Sequence, residues 1–156
     1  MIRPATPEDV SSIHALLLEL AEFEKITDWV EATEESTQAA LFGENPTAEA
    51  LVTEVRGQVV ATAVFFQNYS TFVGRPGLYL EDIFVQPAHR GGGIGQDLLR
   101  ELAKLAHSRG CGRMEWTVLD WNQRAIDFYE KQGAEIMHDW RLVRLNREGI
   151  AQLANG

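Results

Sequence analysis

The sequence predicts an α/β fold: a central mixed sheet, mostly antiparallel, with helices on both faces. Three observations lead there. Apolar residues recur at helical spacing in separate stretches, as Val10, Ile13, Leu17 and Leu20 do near the start. β-rich runs lie between these stretches, several of them joined by turns short enough to demand antiparallel neighbours. A glycine-rich loop, Arg90 to Gly95, sits between an apolar run and an amphipathic stretch, where a strand passes into a helix. With 156 residues and no linker, repeat or low-complexity tract, the chain is expected to form one domain over 1–156.

Ile2 to Pro4 reads as a short first strand. Thr6-Pro7-Glu8-Asp9 is a helix start, with an N-cap threonine, a proline at the first helical position and an acidic first turn. A second helix runs from Thr33 to about Phe42, ended by Gly43 and Pro46, and the acidic, aromatic segment from Phe23 to Trp29 is the loop before it. Ala50 to Glu54 and Gln58 to Gln67 are the strands of a hairpin around Arg56-Gly57. A turn over Gly74 to Gly77 leads to Leu78–Val85, apolar on both faces as a covered central strand is. Ile94 to about Ser108 is a helix with Leu98, Leu102, Leu105 and Ala106 inside, closed by Arg109-Gly110. Met114 to Leu119 is the next strand and Asn122 to Gln132 the next helix. Glu135 to Met137 and Arg141 to Leu145 are the last strands.

Composition narrows the function. A net charge of −9 lacks the basic footprint that nucleic acid requires, and it suits a cationic substrate. No apolar stretch approaches the ~20 residues needed to span a bilayer, and Met-Ile-Arg-Pro is no signal-peptide core. Cys111, the one cysteine, forms no internal disulfide, which points to a reducing cytoplasm. The histidines, His14, His89, His107 and His138, lack metal-ligand spacing, so no metal is expected. No serine nucleophile elbow is present, which favours direct transfer chemistry over a covalent enzyme intermediate.

The segment Val85-Gln-Pro-Ala-His-Arg90-Gly-Gly-Gly93-Ile-Gly95-Gln-Asp-Leu98 suggests a backbone cradle for phosphate. Its glycines permit positive φ and close approach of N–H groups, and the next helix adds the positive end of its dipole. Arg90 beside that cradle is a candidate phosphate contact. A dinucleotide-binding reading of the loop fails on context, because that fingerprint opens a βαβ unit and this loop follows three antiparallel-type strands.

Leu80-Glu81-Asp82-Ile83-Phe84-Val85, Pro87 and Arg90-Gly91-Gly92-Gly93-Ile94-Gly95 together resemble the acetyl-CoA motif of the GNAT acetyltransferase superfamily. Ile2-Arg3-Pro4-Ala5-Thr6, Glu19 to Glu24, Tyr79 to Val85 and Val118 to Tyr129 extend the likeness over nearly the whole chain. They resemble the diamine (spermidine/spermine) N-acetyltransferases and their thialysine N-acetyltransferase relatives, with Tyr69-Ser70-Thr71-Phe72 and Leu119-Asp-Trp-Asn-Gln-Arg-Ala125 leaning to the thialysine branch. The resemblance implies the GNAT fold, acetyl-CoA as co-substrate, a small cationic amine as acceptor, and a homodimer.

Such an amine arrives protonated, with only about 1 in 2,500 molecules neutral at pH 7, equivalent to roughly 4.6 kcal/mol, so a proton acceptor is needed. Glu81 and Asp82 are consecutive on a strand and are expected to face opposite ways. The resemblance assigns Glu81 as general base and Tyr129 as the acid that protonates the leaving thiolate. Asp82 is left with a structural hydrogen-bond role. Asn122, seven residues before Tyr129 on one helix face, is a second contact for the pantetheine arm. The resemblance also implies a bulge in the strand carrying Phe84 and Val85, whose amides meet pantetheine and polarise the thioester carbonyl. Backbone groups of Gly91, Gly92, Gly93, Ile94 and Gly95 hold the pyrophosphate. Glu24 and Trp140, the latter on a late strand, are candidates for gripping the amine by charge and ring face. Two alternatives stay open: a protein lysine, N-terminus or amino acid as acceptor, and a non-catalytic acetyl-CoA-binding module.

Overall fold

The computed structural model describes every residue, Met1–Gly156. The chain divides into two compact units, Met1–Thr117 and Val118–Gly156. No helix in either is long and apolar enough to cross a membrane.

The first unit is built on five strands in the order β1-β2-β3-β4-β5: β1 (Ile2–Pro4), β2 (Glu49–Val55), β3 (Gln58–Ser70), β4 (Arg75–Val85) and β5 (Met114–Glu115). Neighbours are antiparallel except β4 and β5, which run parallel. The mixed, mostly antiparallel sheet is thus as expected. The β2–β3 hairpin closes through Arg56 and Gly57, both at positive φ, the signature of a turn whose twist matches its strands. β4 begins earlier than expected, at Arg75, and the turn before it lies at Thr71 to Gly74. Pro76 is tolerated in the strand because it lies near the strand's beginning.

Helices cover both faces. α1 (Val10–Phe23) and α2 (Glu34–Phe42) lie on one, where Ile13 and Leu41 pack with Ala50 and Val52. α3 (Ile94–Ser108) lies on the other and buries Leu98, Leu99, Leu102 and Ala106. Thr33 caps α2, its Oγ1 accepting from the Ser36 N–H at 3.1 Å. At the start of the chain, the proline turn Pro7–Asp9 is a separate 3-10 turn that feeds α1, and Asp9 is fixed by Arg3 through contacts of 2.7 and 3.0 Å. Leu17 and Leu20, expected in the core, are only half-buried. They line a cavity of about 210 Å³ between α1, α2 and the sheet.

The second unit carries α4 (Gln123–Lys131) and α5 (Arg147–Asn155). Its sequence reading needs correction. Glu135 to Met137 and Arg141 to Leu145 are not strands; no neighbour pairs with them, and a strand without a ladder leaves its backbone groups to water. Val143 is 90% exposed. Trp140 therefore lies on no strand, and it is exposed. α5 was not anticipated, although Asn146 is a readable cap whose side chain accepts from the Gly149 N–H at 2.8 Å. The strand expected over Met114 to Leu119 is paired only at Met114–Glu115, opposite Leu78 and Tyr79 of β4.

Candidate functional site

The local structure of β4 decides where its acids go. Val64 pairs with Asp82 and Phe65 with Leu80, so Glu81 is an extra residue without a partner on β3. This β-bulge breaks the alternation on which opposite-facing carboxylates were expected. Past it, Asp82 and Phe84 line the cavity on the α1/α2 side together with Val64 and Thr62, while Glu81 is exposed. The parallel pairing of β5 with β4 stops at Tyr79, two residues before the bulge, so the two strands part where Glu81 begins.

The Asp82 side chain has no hydrogen bond and no ion pair. The structural hydrogen-bond role expected for it is not found. Burial, then the charge of Glu81, then that of Glu24, pushes its pKa up from 3.8 to about 6. Glu24 lies in the turn directly after α1, as its C-cap, and Lys25 after it turns the chain with φ 60°. Burial raises the Glu24 pKa as well. Asp82 thus borders a mostly aliphatic cavity within the field of two further acids. A carboxylate with a pKa near the working pH is the form a general base takes.

Arg90 connects this acid cluster to the glycine loop. Its Nε donates to the Val85 carbonyl at 2.8 Å, and its guanidinium lies 5.3 Å from the Phe23 ring centre and 5.2 Å from that of Phe84. The side chain expected on a phosphate is therefore bound to its own strand and held between two rings, which ties the end of α1 to the end of β4. Val85 supplies the carbonyl and Phe84, 5% exposed, supplies one ring.

The loop itself has the expected geometry. Gly91 and Gly93 adopt φ of 83° and 89°, conformations a side chain resists, and Gly93 begins the fifteen-residue α3 with no side-chain cap. A Cβ placed on Gly91, Gly92 or Gly93 would meet nothing within 4 Å, so the loop's backbone is open to approach. Ile94 and Gly95 form the first turn of α3. These residues fit an anion-bearing chain laid over a helix N-terminus.

In the second unit Asn122 and Tyr129 share α4. The Asn122 side chain accepts from the Ala125 N–H at 3.2 Å and so caps the helix. Tyr129 is 8% exposed, and its ring centre lies 5.6 Å from that of Phe128. The capping role was not foreseen for Asn122, although an asparagine just before a helical run is its usual signal. Asp82 was undervalued in the sequence because a bulge cannot be read from alternation.

Comparison with known proteins gives a consistent result. The acetyltransferase (GNAT) family profile matches residues 13–134, running through the division between the two units. Thialysine N-epsilon-acetyltransferase of Bos taurus is 39% identical over 99% of this chain and 96% of its own length. Spermidine/spermine N(1)-acetyltransferase-like protein 1 of Homo sapiens is 34% identical over 98% of this chain and 23% of that longer protein. Among solved structures, an integron cassette protein from the mobile metagenome of V. cholerae shares the fold with a TM-score of 0.84 at 24% identity, over 100% of this chain and 98% of that one.

Proposed function

This chain belongs to the acetyltransferase (GNAT) family and is an N-acetyltransferase, and we propose that it moves acetyl from acetyl-CoA to a terminal amine of a small cationic diamine, by direct attack in a ternary complex. The observation that carries the reading is Asp82: a carboxylate without a partner, facing a cavity beside Glu24 and Glu81, with its pKa raised to about 6. An alkylammonium entering there meets negative charge and a base strong enough to take its proton.

Acetyl-CoA supplies the acyl group as a thioester, activated toward a neutral amine. The backbone of Gly91 to Gly95 would hold its pyrophosphate, and β4 beyond the bulge, at Phe84 and Val85, would meet its pantetheine arm where β5 has parted from β4. Asp82 takes the amine proton, with Glu81 sharing the acidic field as the residue the family resemblance favours for this step. Tyr129 gives a proton to the departing sulfur, and Asn122, besides capping α4, keeps the start of that helix in register. Glu24 and Trp140 remain proposed contacts for the amine. The reading extends to a homodimer in a reducing cytoplasm; light scattering checks the first part of that statement.

The experiment is a free-thiol assay with acetyl-CoA and a panel of polyamines, diamino acids, peptides and aminoglycosides. Turnover should concentrate on small diamines, and Tyr129→Phe should lower kcat by about 10²-fold, within the range for a single acid–base group. Thiol release only with peptides would replace the small-amine acceptor by a protein one. No release from any amine would end the proposal.

A further inference from the structure

Two side-chain contacts fasten the end of α1 to the connection between β4 and α3. Gln86 Nε2 donates to Glu19 Oε1 at 2.9 Å, and the Arg90 guanidinium lies 5.3 Å from the centre of the Phe23 ring. Glu19 and Phe23 are four residues apart, so they share one face of α1. Their partners stand at the two ends of a single 3-10 turn, Pro87–His89. That turn is a firm anchor. The Gln86 N–H donates to the Val60 carbonyl of β3 at 2.9 Å, the His89 N–H to the Gln86 carbonyl at 2.9 Å and the Arg90 N–H to the Pro87 carbonyl at 3.2 Å, while Arg90 Nε holds the Val85 carbonyl.

What hangs on the anchor is Glu24. It follows Phe23 directly, its N–H donates to the Leu20 carbonyl at 2.9 Å, and the Ile26 N–H donates to the Ala21 carbonyl at 2.9 Å. The turn is closed back onto the helix, so Glu24 moves as the end of α1 moves. Leu17 and Leu20 of the same helix are part of the wall of the cavity that Asp82 borders. Phe23 is 43% exposed and adds little to the core. Its ring face attracts a guanidinium in a way that an aliphatic side chain does not.

We infer that Phe23 is a positioning residue for the acceptor: seated on Arg90, and braced one turn earlier by the Glu19–Gln86 hydrogen bond, it fixes the end of α1 so that Glu24 receives a cationic amine together with Asp82. The inference rests on the small-diamine reading and deepens it, because the amine site then takes its rigidity from the segment that leads into the glycine loop. Phe23 acts through Glu24 and not on the reacting atoms. Its loss weakens amine binding and leaves the chemical step alone.

Initial rates with acetyl-CoA and 1,4-diaminobutane test it. Phe23→Leu, which keeps an apolar side chain and removes the ring, should raise the KM of the amine about 3- to 10-fold, as a guanidinium on a ring is worth, with kcat and the KM of acetyl-CoA unchanged. Phe23→Tyr keeps the ring and should keep the wild-type KM. In a Glu24→Gln background Phe23→Leu should add nothing further, because the group it positions is gone. An unchanged KM, an equal rise in both backgrounds, or a loss in kcat overturns the inference while the small-diamine reading stands.

The acids give an answer that does not depend on turnover. The charged groups acting on Asp82 are Glu81 on β4 and Glu24 at the end of α1, and His14 of α1 lines the same cavity. A 13C titration of the Asp82 carboxyl should show its pKa, about 6 in the wild type, moved down in Phe23→Leu as Glu24 loses its fixed place, and unmoved in Phe23→Tyr. The same pKa in all three proteins overturns the inference. If the wild type leaves 1,4-diaminobutane unacetylated, the small-diamine reading fails by itself and this titration decides the positioning claim.

Discussion

Asp9 and Asp82 are both largely buried acids of the first unit, and their surroundings are opposite. Asp9 accepts two bonds from the Arg3 guanidinium and one from the Thr6 N–H at 2.8 Å, and Arg3 is tied in turn to Glu54 at 2.9 Å. The Arg3 bonds hold the Asp9 pKa down at about 2. Asp82 has only Glu81 and Glu24 for charged company, and its pKa stands at about 6. One corner spends its carboxylate on joining β1, the proline turn and β2. The other keeps a carboxylate in reserve where nothing in the first unit needs it. The difference separates a group that stabilises the fold from one whose raised pKa suits it to the proton transfer we propose.

The sharpest way to break this contrast is Asp82→Asn. If the carboxylate is the base, kcat/KM should fall about 10²–10⁴-fold, the range for loss of a positioned acid–base group. The same change should stabilise the fold. A pKa raised in the folded state means that the folded chain loses ground as pH climbs from 3.8 to about 6, and holds that deficit above. A rise of about two units corresponds to about 3 kcal/mol, so denaturant titration at pH 7 should show the variant up to that much more stable, with the gain gone below pH 4. In the wild type, kcat/KM should decline as pH drops through about 6, as Asp82 takes up its proton. Full activity in Asp82→Asn would return the base role to Glu81.

Asp9→Asn should give the reverse pattern. A depressed pKa contributes stability that is fully present above 3.8 and disappears as pH falls through about 2. Loss of the pairing should cost about 2–3 kcal/mol at pH 7, read by the same denaturant titration, with the gap to wild type closing toward pH 2. Acetyl transfer by the folded fraction should be unchanged. A comparable drop in kcat would show that the corner shapes the site as well as the fold.

How much of this could be read beforehand depends on whether a feature is local. The glycine loop and α3 were legible because φ preference and helical spacing are properties of consecutive residues; Gly93 begins α3 and Leu98, Leu102 and Ala106 are buried as read. The bulge was not. It arises from the register of β4 against β3, and nothing in Leu80-Glu81-Asp82 says that Glu81 will be passed over. Leu17 and Leu20 have core spacing, yet they border a cavity, because a hydrophobic pattern records which face turns inward and not whether that space is filled. Arg90 looked like a loop charge for phosphate because the two rings that hold it, Phe23 and Phe84, come from distant parts of the chain. Arg141 to Leu145 is a mostly apolar run that reads as a strand, but pairing needs a neighbour that the run itself cannot supply.

A third carboxylate sets the lower end of the scale. Glu49 is paired with Arg109 at 2.7 and 2.8 Å, as closely as Asp9 is with Arg3, and the pairing lowers its pKa. The geometry is bidentate in both, but the Glu49 side chain is 49% exposed where that of Asp9 is 7% exposed. Water competes for the exposed pair, and salt screens it. Glu49→Gln should therefore cost only about 0.5 kcal/mol by denaturant titration in low salt, and nothing measurable at ~1 M salt, where the screening length is about 3 Å. A loss as large as that of Asp9→Asn would mean that pairing alone, without burial, decides what a carboxylate contributes. The expected tenfold or greater ratio between the two effects, expressed as equilibrium constants, assigns the larger part to the exclusion of water.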